Sequence, residues 1–171
     1  MEHMTSLAIL ISIIQSFSIS LGVGASTIAI ISFFVALADG KIEPAERKLM
    51  GVAYALLRIA MVAILATTLV LLYLNYFALT PFIIAQLCII AILFINAILM
   101  TAHIMPSTFG PAIQAGSWYT LGTLSALAAL QLTHFTVMQF SLGYLTWIVL
   151  SVSIVNGVMA ALKAKRLGFL K

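Results

Sequence analysis

Arg58 is the only charged residue of this chain that lies in an apolar segment away from its ends. A guanidinium at that depth must avoid being left unpaired in hydrocarbon. It can stretch its apolar stem and lift the charge to the head groups. Alternatively it can turn inward and hold an anion or carboxylate with its planar fork of donors. No Asp or Glu lies in a segment except Glu46 at the very start of the second, so an inward Arg58 would need a backbone carbonyl, a lipid phosphate or a ligand. His103, Gln114 and Asn156 fall at about the same depth when each span is counted ~20 residues from its outer end. Gly24 falls there too and offers space rather than a polar group, while Ser107 and Thr108 add hydroxyls from a neighbouring loop. Arg58, His103, Gln114, Asn156 and Gly24 are therefore the candidate binding residues, around a polar chamber open to the cytoplasm. The plain alternative is a ring of interfacial side chains bonded to water and head groups. Gln15 and Asn96 lie deeper and read as amides that join spans by hydrogen bonds.

Three histidines raise haem as a cofactor, because paired imidazoles between helices hold haem in membrane cytochromes. His103 is expected at the inner end of one helix and His134 at the outer end of the next, some 30 Å away across the bilayer. His3 and His134 share the outer face, and His103 has Met100 and Met105 nearby. Solvated interfacial histidines account for the same pattern. Cys88 is the one cysteine, which excludes an intrachain disulfide, a Cys-x-x-Cys redox pair and a thiolate zinc site. No Ser-His-Asp, His-Glu-x-x-His, Walker or Gly-x-Gly-x-x-Gly constellation occurs, so the reading leans away from an enzyme.

The elements that must position these residues follow from composition. Of 171 residues, 64% are hydrophobic and 7% charged, and the mean hydropathy is +1.23. Soluble domains carry about 25% charged residues, so the chain reads as one integral membrane domain over residues 1–171. The net charge of +4 forms no basic patch or nucleic-acid motif, and no nucleic-acid partner is expected. Apolar segments run over Thr5–Ala38, Ala45–Leu79, Phe82–Met105, Ala112–Phe135 and Val137–Leu162, each longer than the ~20 residues a crossing needs. This predicts an all-α bundle of five transmembrane helices. Asp39-Gly40 should stop the first helix, with Pro44 and Pro81 opening the second and third. The run Pro106 to Pro111 should be a loop, and Thr133 to Thr136 a turn. Ala36-Leu37-Ala38 imitates a signal-peptidase site, but the apolar run before it is too long and has no basic leader, so the first segment is expected to stay.

Lys41, Arg47 and Lys48 lie in the first connection and Lys163, Lys165, Arg166 and Lys171 in the tail. An odd number of spans puts both clusters on one face, which the positive-inside rule makes cytoplasmic, with the amino terminus out. The plasma (inner) membrane is the expected location. The connection ADGKIEPAERK resembles the acidic inter-helix turn of tellurite-resistance-B-like domains over its short length. A helix stop followed by a helix start accounts for each of its residues, and no family assignment is made.

The first two segments are unusually long, about 50 Å against a ~30 Å hydrocarbon core. They either continue past the membrane as a hairpin over Ser26–Ala38 and Ala45–Leu57, or the first breaks at Gly22-Val23-Gly24. Phe33, Phe34, Val35, Leu49, Met50 and Val52 would make a protruding hairpin too apolar to stand bare, so a second copy or a partner should cover it. Small residues at Ser12, Ser16, Ser20 and Gly24, at Ser18, Gly22 and Ser26, and at Ser153, Gly157 and Ala161 predict close helix crossings. Three functions are compatible with this: a transporter or channel with Arg58 at its cytoplasmic mouth, a non-catalytic subunit or scaffold binding through the hairpin, and a haem-carrying electron-transfer protein. Besides the lipid bilayer, the expected partners are further copies of the chain or a membrane complex.

Overall fold

A computed structural model describes residues 2–40, 43–74, 76, 78–106 and 109–166, with backbone alone at 2–5 and 39. The described chain is five helices: α1 (Glu2–Asp39), α2 (Pro44–Tyr73), α3 (Pro81–Thr101), α4 (Phe109–Ala129) and α5 (Val137–Arg166). Local chemistry sets their ends. Pro44 and Pro81 occupy the first turn of α2 and α3, where a missing N–H costs nothing. The Glu46 carboxylate accepts from the Glu43 backbone N–H at 3.0 Å. At α5 a reciprocal pair closes the start: the Gln139 N–H donates to the Thr136 hydroxyl at 3.2 Å, and the Thr136 N–H donates to the Gln139 side chain at 2.9 Å. Gly40, with φ of 68°, ends α1 in the left-handed conformation that glycine adopts freely.

Some ends differ from the apolar boundaries. α2 stops at Tyr73, α3 at Thr101 and α4 at Ala129, so the apolar residues that follow lie in connections. Hydropathy measures the preference for lipid, whereas hydrogen bonding decides where a helix stops. Pro111 belongs to α4 rather than to a loop, because it falls in the first turn, whose amides have no helical acceptor. α5 equals α2 in length, at 30 residues each.

α1 and α2 pack along their length. The buried face of α1 steps through Gln15, Ser18, Gly22, Ala25, Ala29, Ser32 and Ala36, and that of α2 through Ala53, Leu57, Ala60, Ile64, Thr67 and Leu71. Alternating steps of three and four average 3.5 residues, the repeat of two helices that stay in register over many turns. This seam corrects the expectation for the small residues. Ser12, Ser16, Ser20 and Gly24 are exposed, while Ser18, Gly22 and Ser26 make the close approach. Gly22 meets the Trp118 indole of α4 so closely that a Cβ would overlap it, whereas a Cβ at Gly24 would meet nothing. Gly157, with Ser153 and Ala161, likewise faces outward, so that row on α5 makes no crossing within the chain.

α4 is the enclosed rod, packed on α1, α3 and α5. Ala112, Ser117 and Trp118 are completely buried. α1, α2, α3 and α5 are each long and apolar enough to cross a membrane, and α4 is less apolar. A helix sheltered by its neighbours meets little lipid and can carry more polar side chains. The protein is thus a multi-pass, all-helical membrane protein. The outward faces of the other helices carry Phe17, Ile59, Ile98, Leu145 and Val149 into the lipid.

α3 and α4 have 21 residues each and match one bilayer core, while α1, α2 and α5 run on beyond the end of α3. The overhang is therefore three helices rather than a two-helix hairpin. Val155 and Met159 of α5 cluster with Ile30, Phe33, Phe34 and Leu37 of α1, and the Arg166 guanidinium lies against Gly40. Arg47, Lys48, Lys163, Lys165 and Arg166 all mark this basic end, whereas Lys41 and Lys171 lie outside the described residues.

Gly22→Ala should lower the thermal midpoint of the purified protein, since overpacking a filled core costs about 1–3 kcal/mol. Gly24→Ala, two residues away in open space, should leave it unchanged or raise it, as alanine favours helix by ~1 kcal/mol. Equal midpoints for the two variants would remove the contact from the account of stability.

Candidate functional site

Two cavities lie at opposite ends of the α3–α4 pair. The one nearer the basic end has a volume of about 380 Å³ and is lined by Tyr54, Arg58 and Met61 of α2, Met100 and Thr101 of α3, His103, and Gln114 of α4. Three of the residues marked in the sequence thus line one cavity. Arg58 is exposed, and no ion pair engages it among the described residues. Gln114 is only 8% exposed and makes no hydrogen bond among them. Gly24 and Asn156 do not line this cavity and are exposed elsewhere, while Ser107 and Thr108 lie outside the described residues.

His103 has a structural reason for its place. Its φ of 56° is left-handed. The His103 N–H donates to Met100 O at 3.2 Å and the Ile104 N–H to Leu99 O at 3.0 Å, the paired bonds that close a helix end. Histidine tolerates this conformation better than most side chains. Gln131 ends α4 in the same way, with φ of 58° and the Leu132 N–H donating to Leu127 O at 2.8 Å.

The cavity at the other end is larger, about 750 Å³, and is lined by Gln15 of α1, Gln86 of α3, the start of α3 and the connection holding His134. The Gln15 amide donates to the buried Thr68 hydroxyl at 2.7 Å, which ties α1 to α2 as an interhelical bond. Gln86 was not singled out in the sequence; the signal was a second carboxamide in the same half of the membrane as Gln15. Between the cavities lies a layer with no charge, in which Ile64, Ile89, Leu93 and Trp118 are each no more than 1% exposed.

Asn96 serves neither cavity. Its amide donates to Gly110 O at 3.0 Å and fastens α3 to the start of α4, while its Oδ1 is buried with no partner. His103 and His134 line opposite cavities, and the side chain of His3 lies outside the described residues. Among the described residues no three His, Cys, Asp or Glu side chains are grouped as metal ligands. No protein-family model, curated protein or solved structure matches the chain.

His103→Gly removes the imidazole and keeps the turn. It should hold or raise the thermal midpoint, because a left-handed non-glycine residue costs about 1 kcal/mol. His103→Val should lower it. A midpoint lower in the glycine variant than in the valine variant would overturn the capping role.

Proposed function

We propose that the protein is a small membrane transporter or channel whose solute is anionic and binds in the Arg58 cavity, on the cytoplasmic side. The observation that carries this reading is the excess of donors there. Arg58, His103, Gln114 and Tyr54 bring a guanidinium, an imidazole, an amide and a phenol to one cavity, and no carboxylate among the described residues lines it. A guanidinium with only neutral neighbours favours a carboxylate or phosphate, to which it can give two parallel hydrogen bonds. The positive-inside rule supports the orientation, because the basic clusters of α2 and α5 gather at the end nearer this cavity. The uncharged layer of Ile64, Ile89, Leu93 and Trp118 would close the path at rest, and passage would require α2 and α3, whose mutual contact is sparse, to separate.

Efflux of inorganic phosphate, acetate and succinate from loaded proteoliposomes tests the proposal. Arg58→Ala should slow the transported anion about 10- to 150-fold, the loss of a charged hydrogen bond worth ~1.5–3 kcal/mol. Arg58→Lys should fall between. Leakage at the rate of protein-free liposomes for all three anions, or unchanged flux in Arg58→Ala, would sink it.

A scaffold reading draws on a different observation. Val35, Leu49 and Val52 remain 44%, 49% and 51% exposed on the overhang despite the cover from α5. Apolar side chains beyond the bilayer core ask for a second copy or a partner. Mass measurement of the protein in nanodiscs should then give at least a dimer, and a lone monomer would remove this reading.

A further inference from the structure

We infer that the larger cavity, together with a groove on the outer face of α1, is a binding site for a lipid with an uncharged, hydroxyl-rich head group, such as a glycosyl diacylglycerol. The inference does not depend on transport. Gln86 is 6% exposed, lines the cavity and makes no hydrogen bond among the described residues. Its amide atoms are not sealed in protein but open to the cavity, where they suit a ligand that both donates and accepts. The remaining polar lining includes Gln15, Thr80, Ser125, Thr133 and His134, with no Lys, Arg, Asp or Glu among the described residues. A phosphate head would find no Lys or Arg among the described lining residues, whereas a sugar would find amides, hydroxyls and the Phe82 and Phe135 rings. The volume of about 750 Å³ falls in the range of small-molecule sites.

The groove supplies the tail. It has a volume of about 510 Å³, runs along α1 from Ala8 to Ser20, and shares Ser12, Ser16 and Tyr76 with the cavity. The hydroxyls of Ser16 and Ser20 donate to carbonyls of their own helix at 3.0 Å, which lowers the polarity of the groove floor. Ile9, Ile13 and Phe17 form its apolar walls. Twelve residues of helix span about 18 Å, close to the ~15 Å depth of one leaflet. The outward row of small residues, which packs no helix of this chain, thus becomes a track for an acyl chain leading from a cavity that wants a sugar.

The test uses the full chain, purified in an amine-oxide detergent that carries no sugar. It is reconstituted with equal parts of monoglucosyl diacylglycerol, phosphatidylcholine and phosphatidylglycerol, and bound lipid is read by native mass spectrometry after re-extraction. One glucosyl lipid per chain should be retained, about tenfold over either phospholipid, a preference of ~1.4 kcal/mol. Gln86→Leu should abolish that preference. Ser16→Leu, a change on the exposed face where folding is not at stake, should block the groove and do the same. Equal retention of the three lipids, a preference for either phospholipid, or an unaltered pattern in Ser16→Leu would overturn the inference. Displacement by millimolar free glucose would overturn it too, by assigning the cavity to a soluble sugar.

Discussion

The contact between Gly22 and the Trp118 indole governs the rest of the bundle. An indole is the largest side chain a protein can bury, and here it sits completely enclosed against bare backbone. In lipid no hydrophobic force drives helices together, so close packing and a few hydrogen bonds must do so. The glycine lets α1 approach α4, and α2 follows because its 3.5-residue repeat matches that of α1. The same indole forms part of the charge-free layer between the two cavities. Packing and the separation of the two ends therefore rest on one pair of residues.

The attachment of α5 is of another kind. Only Tyr144, Val155 and Met159 of this helix are buried. Polar and aromatic contacts hold it instead: the Trp147 indole N–H donates to Gly116 O at 3.0 Å, and the Ser117 and Tyr144 hydroxyls share a bond of 2.7 Å. Phe82, Phe135, Phe140 and Tyr144 form a ladder with ring centroids 5.8–6.1 Å apart, joining α3, the last connection and α5. In a low-dielectric surrounding such bonds have no water to compete with them, and a mostly lipid-facing helix can be fixed by a few.

Much of this was legible in the sequence. Five helices followed from segment length, and Pro44, Pro81 and Gly40 marked ends because their backbone chemistry is independent of context. The shared depth of Arg58, His103 and Gln114 could be counted from the outer ends, since a helix rises by a fixed amount per residue. Facing was harder to read. Two rows of small residues ran side by side on α1, and only the position of Trp118, contributed by a helix some ninety residues on, decides which row is packed. Gly24 and Asn156 failed to join the cavity for that reason: counting gives a residue's depth but not the direction in which it points. Gln86 was hidden in an apolar run, and its significance comes from the empty space beside it, which no one-dimensional pattern encodes.

The modest apolarity of α4 has a consequence for how the chain is made. A segment holding Gln114, Ser117, Thr120 and Thr123 gains little by leaving the insertion machinery alone for lipid, because polar groups at mid-membrane weigh against partition. α3, the most apolar of the candidate spans, can enter first and offer a surface on which its successor is retained. α5 then closes the other side. Insertion of the central rod is thus expected to depend on the neighbours that shield it.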